Sequence, residues 1–435
     1  MKYCVGIDLG STTTKAVILS DEGEILGRGI TNSRSNYEVA CQVALGEALN
    51  TARFGLMASE LSRNGPESES QTAELANLER HFRKHQYLGQ LEALREAMDR
   101  HLVAAGDKGQ RRIVEQILDR MVTETPRIFA PGARRKSDFF RDLAGSRYLR
   151  LAETLAKGEG VSFDRVVGFF DKAILEVENL PPGAEQFLRL AQVALADMSS
   201  SSEGLDHAVK RAGKTKLELA LSVGTGYGRA TLPFPKERIR SEILCHGLGA
   251  HAMFPETRTV LDIGGQDTKA IQVDDRGIVT SFQMNDRCAA GCGRYLGYIA
   301  DEMNVGVHEL GPIAAQATRT VKINSTCTVF AGAELRERLS LGEKREDILS
   351  GLHRAVILRA MSLLARSGGI EDQFTFTGGV ANNEAAVDAL VSLTRENYGE
   401  LTLNISPDSI YTGALGAALF ARRDWLREQE ETQLH

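Results

Sequence analysis

The sequence has few cysteines, no long apolar run and no excess of positive charge. A net charge of −6 gives no reason to expect nucleic acid as a partner. No uninterrupted apolar run reaches the roughly 18 residues of a membrane span, and the first residues lack the pattern of a signal peptide. These absences favour a cytoplasmic protein without a membrane partner. In that compartment six cysteines are expected to bind metal, react or lie buried rather than form disulfides.

The length and composition indicate a multidomain globular protein. A chain of 435 residues exceeds what one simple core holds, so two or three domains are expected. Hydrophobic residues make up 42% and charged residues 25%, which excludes a disordered chain.

An internal repeat is the strongest signal in the chain. Residues 5–25, VGIDLGSTTTKAVILSDEGEI, align with residues 259–279, TVLDIGGQDTKAIQVDDRGIV. In this alignment Asp8 meets Asp262 and Lys15 meets Lys269. Each copy predicts an apolar strand, a Gly-containing turn, a second strand, an acidic turn with Gly, and a third strand.

The repeated turn has the chemistry of a phosphate-binding loop. A tight Gly turn exposes consecutive backbone N–H groups that attract an anion, and Gly lets the backbone approach a phosphate closely. The Asp that ends the first strand suits a hydrated Mg²⁺, which takes one or two carboxylates together with phosphate oxygens. Plain hairpins are the alternative, but the joint recurrence of Asp and Gly turn favours two facing phosphate loops. Neither copy matches the Walker pattern, which disfavours that nucleotide fold.

This arrangement resembles the actin-like ATPase fold of sugar kinases, acetate kinase and Hsp70-type chaperones. The resemblance implies a two-lobe, ribonuclease H-like α/β fold that binds ATP and Mg²⁺. Asp8 and Asp262 would organise Mg²⁺ and the attacking water, and Gln266 would orient that water. The stretch FTFTGGVANN (374–383) resembles the adenosine-binding turn of the fold. The other nucleotide-binding residues that the resemblance implies are Gly10, Ser11, Thr12 and Lys15 in the first loop, Gly264, Gly265 and Asp267 in the second, Gly378 and Gly379 in the adenosine turn, and Glu334 at the pocket.

Three cysteines stand close together after the second repeat copy. Cys288 and Cys292 lie in MNDRCAAGCGRYLG, and Cys327 lies in INSTCTVFAG. Cys-x3-Cys with one distant Cys and no close His is poor zinc spacing. A buried, purely structural role is the alternative for these three cysteines. Cys4, Cys41 and Cys245 stand in apolar contexts, so we interpret them as core residues. His246 is likewise interpreted as a structural residue.

A second resemblance accounts for these thiols. SEILCHGLGA, TVLDIGGQDTKAI, FQMNDRCAAGCGRYL, STCTVFAGAEL and TGGVANN are similar to the activator ATPases of 2-hydroxyacyl-CoA dehydratases and the ATPase subunits of benzoyl-CoA reductase. The resemblance covers residues 1–50 and about 217–425. It implies that Cys288 and Cys327 from each of two subunits hold one [4Fe–4S] cluster, since such a cluster takes four thiolates. Cys292 could be a third ligand, a fallback ligand or a small buried hydrophobe, and we favour the last.

Residues 56–216 interrupt the actin-like pattern with apolar residues at helical spacing. We expect a mainly helical insertion, either a cap or a docking surface for a partner. The insertion would interrupt a first lobe, formed by residues 1–55 and 217–250 with the C-terminal helix 408–435. Residues 251–407 would form the second lobe. In the resembling family an insertion marks the larger ATPase subunit of benzoyl-CoA reductase.

The reductase interpretation implies several partners and leaves alternatives open. The partners would be a smaller homologous ATPase subunit, two catalytic subunits that bind benzoyl-CoA, and ferredoxin as electron donor. An activator of a 2-hydroxyacyl-CoA dehydratase is the main alternative. A small-molecule kinase or a non-redox ATPase switch would use the same cleft but leave the thiols unexplained.

Overall fold

The chain folds into two compact units, one α/β and one helical. The computed structural model describes all residues except 34–35, 65–67, 107, 134, 136–138, 181–185, 227–231, 286–290, 324–327 and 434–435. The α/β unit comprises Lys2–Ser33 and Glu218–His435, and the helical unit comprises Arg34–Leu217 with Met1.

Each repeat copy forms a three-stranded antiparallel meander. The first copy gives strands β1 (Lys2–Leu9), β2 (Thr13–Ser20) and β3 (Ile25–Asn32), and the parallel partner of β1 is β4 (Glu218–Thr225). The second copy gives β5 (Thr259–Ile263), β6 (Thr268–Val273) and β7 (Val279–Asn285), followed by β8 (Phe374–Thr377) and β9 (Leu403–Asn404). The sheet orders are β3-β2-β1-β4 and β7-β6-β5-β8-β9, so β1 and β5 hold equivalent places. The strands predicted from the repeat are confirmed.

The helical unit is built on one long helix. Its described helices are α1 (Tyr37–Leu61), α2 (Glu69–Ala105), α3 (Lys108–Ile128), α4 (Phe140–Glu159), α5 (Phe163–Glu178), α6 (Gln186–Ala196) and α7 (Glu203–Lys214). Helix α2 begins with a capping box between Ser68 and Gln71 and ends at Gly106 in the left-handed conformation. Its 37 residues span about 55 Å. Phe82 and Leu94, two of the apolar residues at helical spacing, are buried in two separate clusters along it, which confirms the helical insertion.

The boundary of the helical unit lies earlier than the sequence predicted. The expected division at 55/56 cuts through α1, whereas the compact unit begins at residue 34. The reason is packing: Phe54 and Met57 of α1 join Leu78 and Phe82 of α2 in one hydrophobic cluster. The division of the remaining chain into lobes at 250 and 407 stays a prediction.

Close backbone packing fixes the helices that cover the α/β unit. These helices are α8 (Glu242–Met253), α9 (Gly293–Glu302), α10 (Val307–Ala314), α11 (Thr328–Ser340), α12 (Arg345–Ser367), α13 (Glu384–Tyr398) and α14 (Thr412–Gln433). A Cβ on Gly6 would lie 2.1 Å from Ala414 O, and one on Gly416 would lie 1.9 Å from Cys245 O. Helix α14 therefore lies directly against both β1 and α8, and this contact sets the position of α8.

Helix α12 is the one described helix that is long and apolar enough to cross a membrane, with a mean hydropathy of 1.4 over 18 residues. Charged residues interrupt it, so it contains no long uninterrupted apolar run. In the structure 61% of that window is buried, and Ile348, Leu352 and Ile357 pack with Leu261 and Phe376 of the strands. Helix α12 therefore has the burial of a core helix.

Cys4, Cys41 and Cys245 lie in the core, as predicted. Burial raises the pKa of the Cys4 thiol to about 11 and those of Cys41 and Cys245 to about 12. These thiols are protonated at neutral pH and do not have the thiolate character of reactive cysteines.

Candidate functional site

The two repeated turns place an aspartate and a lysine side by side. Asp8 pairs with Lys15 across β1 and β2, and Asp262 pairs with Lys269 across β5 and β6. The ammonium of Lys15 lies 3.5 Å from Asp8 Oδ2, and that of Lys269 lies 3.3 Å from Asp262 Oδ1. The internal repeat therefore reproduces the same aspartate–lysine ion pair in both copies.

The two turns face each other within the α/β unit. A Cβ added to Gly265 would lie 2.3 Å from Thr12 Oγ1 and 3.6 Å from Ser11 Oγ. A Cβ on Gly10 would lie 3.0 Å from Lys15 Nζ. Glycine at position 265 lets the second turn come this close to Thr12, so a phosphate bound beside the two turns can be contacted by both.

The second lysine is buried among carboxylates, whereas the first is partly exposed. Lys269 Nζ lies 2.9 Å from both Glu242 Oε1 and Asp267 Oδ2, besides its contact with Asp262. Burial alone would lower the pKa of Lys269, but Asp262, Glu242 and Asp267 outweigh it and raise that pKa. Lys269 therefore remains an ammonium that anchors the second turn, and Lys15 is the lysine accessible to a phosphate.

His246, interpreted from the sequence as structural, is buried beside the carboxylate of Asp262. Its Nδ1 lies 3.2 Å from Asp262 Oδ2; the N–H direction is poorly aligned, so the contact is electrostatic more than a regular hydrogen bond. Burial opposes the charge of both groups. Nevertheless, His246 and Lys269 lower the pKa of Asp262, and Asp262 raises the pKa of His246. Thr377 donates to Asp262 Oδ2 at 2.8 Å and completes the surroundings of this carboxylate.

Asp8 has a buried carboxylate oxygen to which no described residue donates a hydrogen bond, and a bound cation would stabilise it. The residue is 3% exposed, and its Oδ1 has no hydrogen-bond partner among the described residues. A Cβ on Gly226, which has φ +113°, would lie 2.7 Å from this oxygen, so glycine leaves it room. A buried carboxylate oxygen without a donor is costly, and a hydrated Mg²⁺ supplies water donors and positive charge. The residues present therefore fit a hydrated Mg²⁺, which Asp8 would help to hold.

The two glycines of the predicted adenosine turn differ in whether the fold itself has room for a side chain. Gly378 has φ +86°, and a Cβ there would lie 2.4 Å from Ile263 O, so its role is set by the backbone. A Cβ on Gly379 would meet no atom within 4 Å. Gly379 is therefore the position at which an added methyl group probes a ligand rather than the fold.

Gly379→Ala should weaken ATP binding without lowering stability. If adenosine lies against this backbone, the methyl group enters its space, and we expect the Kd for ATP to rise about tenfold, about 1.4 kcal/mol. Isothermal titration calorimetry measures the Kd, and the thermal midpoint should stay within the error of the parent. Gly378→Ala is the contrasting variant, because it should lower the midpoint itself. Unchanged ATP affinity in Gly379→Ala would place the adenosine elsewhere.

Two predicted residues have weaker geometric support. Gln266 is partly buried in the second turn, where its role in orienting water stays a prediction. Glu334 lies on α11 and forms an ion pair with Arg338 at 2.8 Å. Its expected part in the nucleotide pocket also stays a prediction.

Sequence reasoning missed Glu242, His246, Lys269 and Gly226. Lys269 was visible as the repeat partner of Lys15. Glu242 and His246 lie four apart on α8, a spacing that puts both side chains on one helix face. Only the packing of α8 beside β5 and β6 identifies that face as part of the site.

The predicted cluster ligands Cys288 and Cys327 lie outside the described residues. Over the described ranges, no three Cys, His, Asp or Glu side chains are grouped as a metal site. Cys292 is fully buried at the start of α9, as predicted, and its exclusion from the ligand set stays a prediction.

The segment Gly291–Arg294, which we term the strap, is bonded to the second phosphate loop. Gly293 N donates to Gly264 O at 2.8 Å, and Arg294 N donates to Gly265 O at 2.7 Å. The hydroxyl of Thr268, at the start of β6, donates to Gly291 O. The strap therefore continues directly from the thiol segment into contact with the turn that faces Thr12.

Comparison with known proteins agrees with this geometry. The model of the BadF/BadG/BcrA/BcrD ATPase family matches residues 5–421. The chain belongs to this family. It is 42% identical over 223 residues to the (R)-2-hydroxyglutaryl-CoA dehydratase activating ATPase of Acidaminococcus fermentans, covering 51% of this chain and 83% of that one. It is 34% identical over 175 residues to a benzoyl-CoA reductase subunit of Thauera aromatica, covering 40% of this chain and 62% of that one.

A solved structure supports the fold of this family member. The crystal structure of component A of the Acidaminococcus fermentans (R)-2-hydroxyglutaryl-CoA dehydratase superimposes with a TM-score of 0.52 at 25% identity, covering 98% of this chain and all of that one. The predicted actin-like fold is confirmed. As a member of an ATPase family, the chain is an ATPase whose two facing turns are suited to hold ATP with Mg²⁺.

Proposed function

We propose that this ATPase is an electron activator that uses ATP hydrolysis to deliver low-potential electrons to partner catalytic subunits. Cys288 and Cys327 from this chain and two thiolates from a partner ATPase subunit would hold one [4Fe–4S] cluster, and ferredoxin would reduce it. The family and the functions of its relatives support the activator role. A cytoplasmic location is part of the proposal.

The contact between the strap and the second phosphate loop is the observation that carries this proposal. Gly264 N donates to Asp267 O inside the loop, and the carbonyls of Gly264 and Gly265 accept from Gly293 N and Arg294 N of the strap. A shift of the loop on nucleotide binding or hydrolysis must therefore either break these bonds or move the strap. Two hydrogen bonds and the nearby Thr268 bond make movement of the strap the less costly outcome. Residues 286–290, which include Cys288, directly precede the strap.

The need for ATP follows from the energy of the electron. Plant-type ferredoxins lie near −400 mV, and Fe–S clusters reach about −700 mV. Lowering one electron by about 300 mV costs roughly 7 kcal/mol, at 59 mV for each tenfold change in equilibrium. Burial of a cluster is a fixed property and cannot supply this energy on demand. A nucleotide-driven change of conformation can, because binding and hydrolysis favour different states of a hinged protein.

We propose a benzoyl-CoA reductase as the electron acceptor, with two catalytic subunits that bind the aromatic CoA ester and a smaller homologous ATPase subunit as the cluster partner. The helical unit Arg34–Leu217 supports this choice, because such an insertion is expected in the larger of the two ATPase subunits. On this view the helical unit docks the catalytic subunits.

A 2-hydroxyacyl-CoA dehydratase is the second candidate acceptor, and sequence identity favours it. Identity is 42% to the hydroxyglutaryl-CoA dehydratase activator and 34% to the reductase subunit. The two candidates differ in the reaction that the chain supports when mixed with each set of catalytic subunits, ATP and a reductant. Ring reduction of benzoyl-CoA identifies the first, and dehydration of a 2-hydroxyacyl-CoA identifies the second.

Replacing Arg294 by Pro should uncouple ATP hydrolysis from the cluster. Proline removes the N–H that donates to Gly265 O, and α9 tolerates it because this residue lies in the first turn, where N–H groups lack partners within the helix. We expect ATP hydrolysis to stay within about threefold of the parent rate. The change that MgATP causes in the electron paramagnetic resonance spectrum of the reduced cluster should be lost.

Arg294→Ala is the matched control, since it removes an exposed side chain but keeps the backbone donor. It should retain both ATP hydrolysis and the spectral response. A proline variant with a full MgATP response would show that the strap does not transmit the nucleotide state. Loss of the response in both variants would assign the effect to the side chain instead.

A further inference from the structure

Four buried charges form a closed ring behind the second phosphate loop. Lys269 Nζ lies 2.9 Å from Glu242 Oε1 and 3.3 Å from Asp262 Oδ1. His246 Nδ1 lies 3.2 Å from Asp262 Oδ2, and His246 Nε2 lies 3.9 Å from Glu242 Oε1. Acidic and basic groups alternate around this charge ring. Its members are 8% exposed or less, so the interactions are little screened by solvent.

The charge ring joins two elements that the chain separates. Glu242 and His246 come from α8, which packs on α14, whereas Asp262 and Lys269 come from the hairpin of β5 and β6. His246 therefore connects α8 to the carboxylate of Asp262 at the end of β5, so a shift of α8 would change the surroundings of that carboxylate.

His246 also lies beside the aspartate of the first loop. A Cβ on Gly413, at the start of α14, would lie 2.7 Å from His246 Nε2 and 3.1 Å from Asp8 Oδ2. The imidazole therefore lies near both repeated aspartates, with Nδ1 beside Asp262 and Nε2 on the side of Glu242 and Gly413.

We propose that His246 is a positioning residue for ATP hydrolysis, which holds the Asp262 carboxylate through Nδ1 in its place opposite Asp8. Asp262 Oδ1 is held by Lys269 from β6, and its Oδ2 is held by Thr377 from β8 and by His246 from α8. The histidine supplies the contact that comes from α8. Phosphoryl transfer depends chiefly on positioning and electrostatic stabilisation, so a small rotation of this carboxylate lowers the rate.

Two amide substitutions separate the roles of the two ring nitrogens. In His246→Asn the amide N–H reaches the place of Nδ1, so a partial positive charge still faces Asp262; in His246→Gln it reaches the place of Nε2, so no polar group takes the place of Nδ1. We expect kcat for MgATP hydrolysis to fall at least tenfold in His246→Gln and to stay within about threefold of the parent in His246→Asn. The KM for MgATP should change less than about twofold in both, because the imidazole positions a carboxylate and does not bind the nucleotide.

Thr377→Val tests the same carboxylate oxygen from the other side and leaves α8 intact. It removes the 2.8 Å hydrogen bond to Asp262 Oδ2, and we expect a loss of kcat comparable to that of His246→Gln. The readout is phosphate release alone, so the result does not depend on the cluster or on electron transfer.

Three outcomes would overturn the proposal. One is a parent-like kcat in His246→Gln, which together with a loss in His246→Asn would assign the function to Nε2. Another is an equal loss of kcat in both variants in proportion to a lower thermal midpoint, which would leave His246 with a packing role only. The third is an unaffected kcat in Thr377→Val, which would show that the position of Oδ2 does not limit the rate.

Discussion

Asp262→Asn should lower kcat for ATP hydrolysis by about 10²–10³-fold, the effect of removing one preorganised electrostatic group from a site of this kind. Burial opposes the charge of Asp262, yet His246 and Lys269 lower its pKa, so the carboxylate is ionised at neutral pH. The amide keeps the size of the side chain and removes this charge. Phosphate release under saturating MgATP measures kcat, and calorimetry measures whether the nucleotide still binds.

The matched control is Asp275→Asn, the same chemical change at a side chain that is 78% exposed. It should leave both kcat and the thermal midpoint unchanged. Because Asp262→Asn leaves Lys269 and His246 with one carboxylate fewer, a modest fall in its thermal midpoint is expected. A folded Asp262→Asn protein that hydrolyses ATP at the parent rate would rule out the second phosphate loop as part of the catalytic site.

Cys288→Ser and Cys327→Ser should each abolish the cluster, which is the largest effect expected on electron transfer. A serine hydroxyl is a poor iron ligand where a thiolate is needed. If each chain supplies two ligands, the loss of either leaves too few for a [4Fe–4S] cluster. ATP binding should survive in both variants, because the facing turns that contain Thr12 and Gly265 are separate from these thiols in sequence.

Cys292→Ser is the internal control for the ligand assignment. Cys292 is fully buried next to the strap, and we assign it to packing, so the serine variant should keep its iron and lose only stability. The measurements are iron, acid-labile sulfide and electron paramagnetic resonance of the reduced protein, all made anaerobically. A cluster lost in Cys292→Ser and retained in Cys327→Ser would contradict the assignment and favour a Cys288–Cys292 pair.

The repeat made most of the fold predictable from the sequence. Because strands, Gly turns and the Asp–Lys pair recur together, the alignment predicted the meanders β1–β3 and β5–β7, and the sheet register then placed Asp8 beside Lys15 and Asp262 beside Lys269. Local pattern was sufficient here, since each turn is encoded by residues next to it in the chain.

The remaining parts of the site depend on contacts between distant elements. Glu242 and His246 look like ordinary residues of a helix, and only the packing of α8 against α14 and the β5–β6 hairpin gives them a role. The early start of the helical unit was missed for the same reason, because α1 contacts α2 through Phe54 and Met57. The strap was missed because its bonds to Gly264 and Gly265 join backbone groups, and such bonds leave no pattern in the side chains.

The iron and acid-labile sulfide content of the anaerobically purified protein tests the electron-activator account most directly. One [4Fe–4S] cluster shared by two ATPase chains predicts about four irons and four sulfides per pair of chains, with ATP hydrolysis present in the same preparation. Protein that hydrolyses ATP but contains neither iron nor sulfide would contradict the account and favour a kinase or a non-redox ATPase switch.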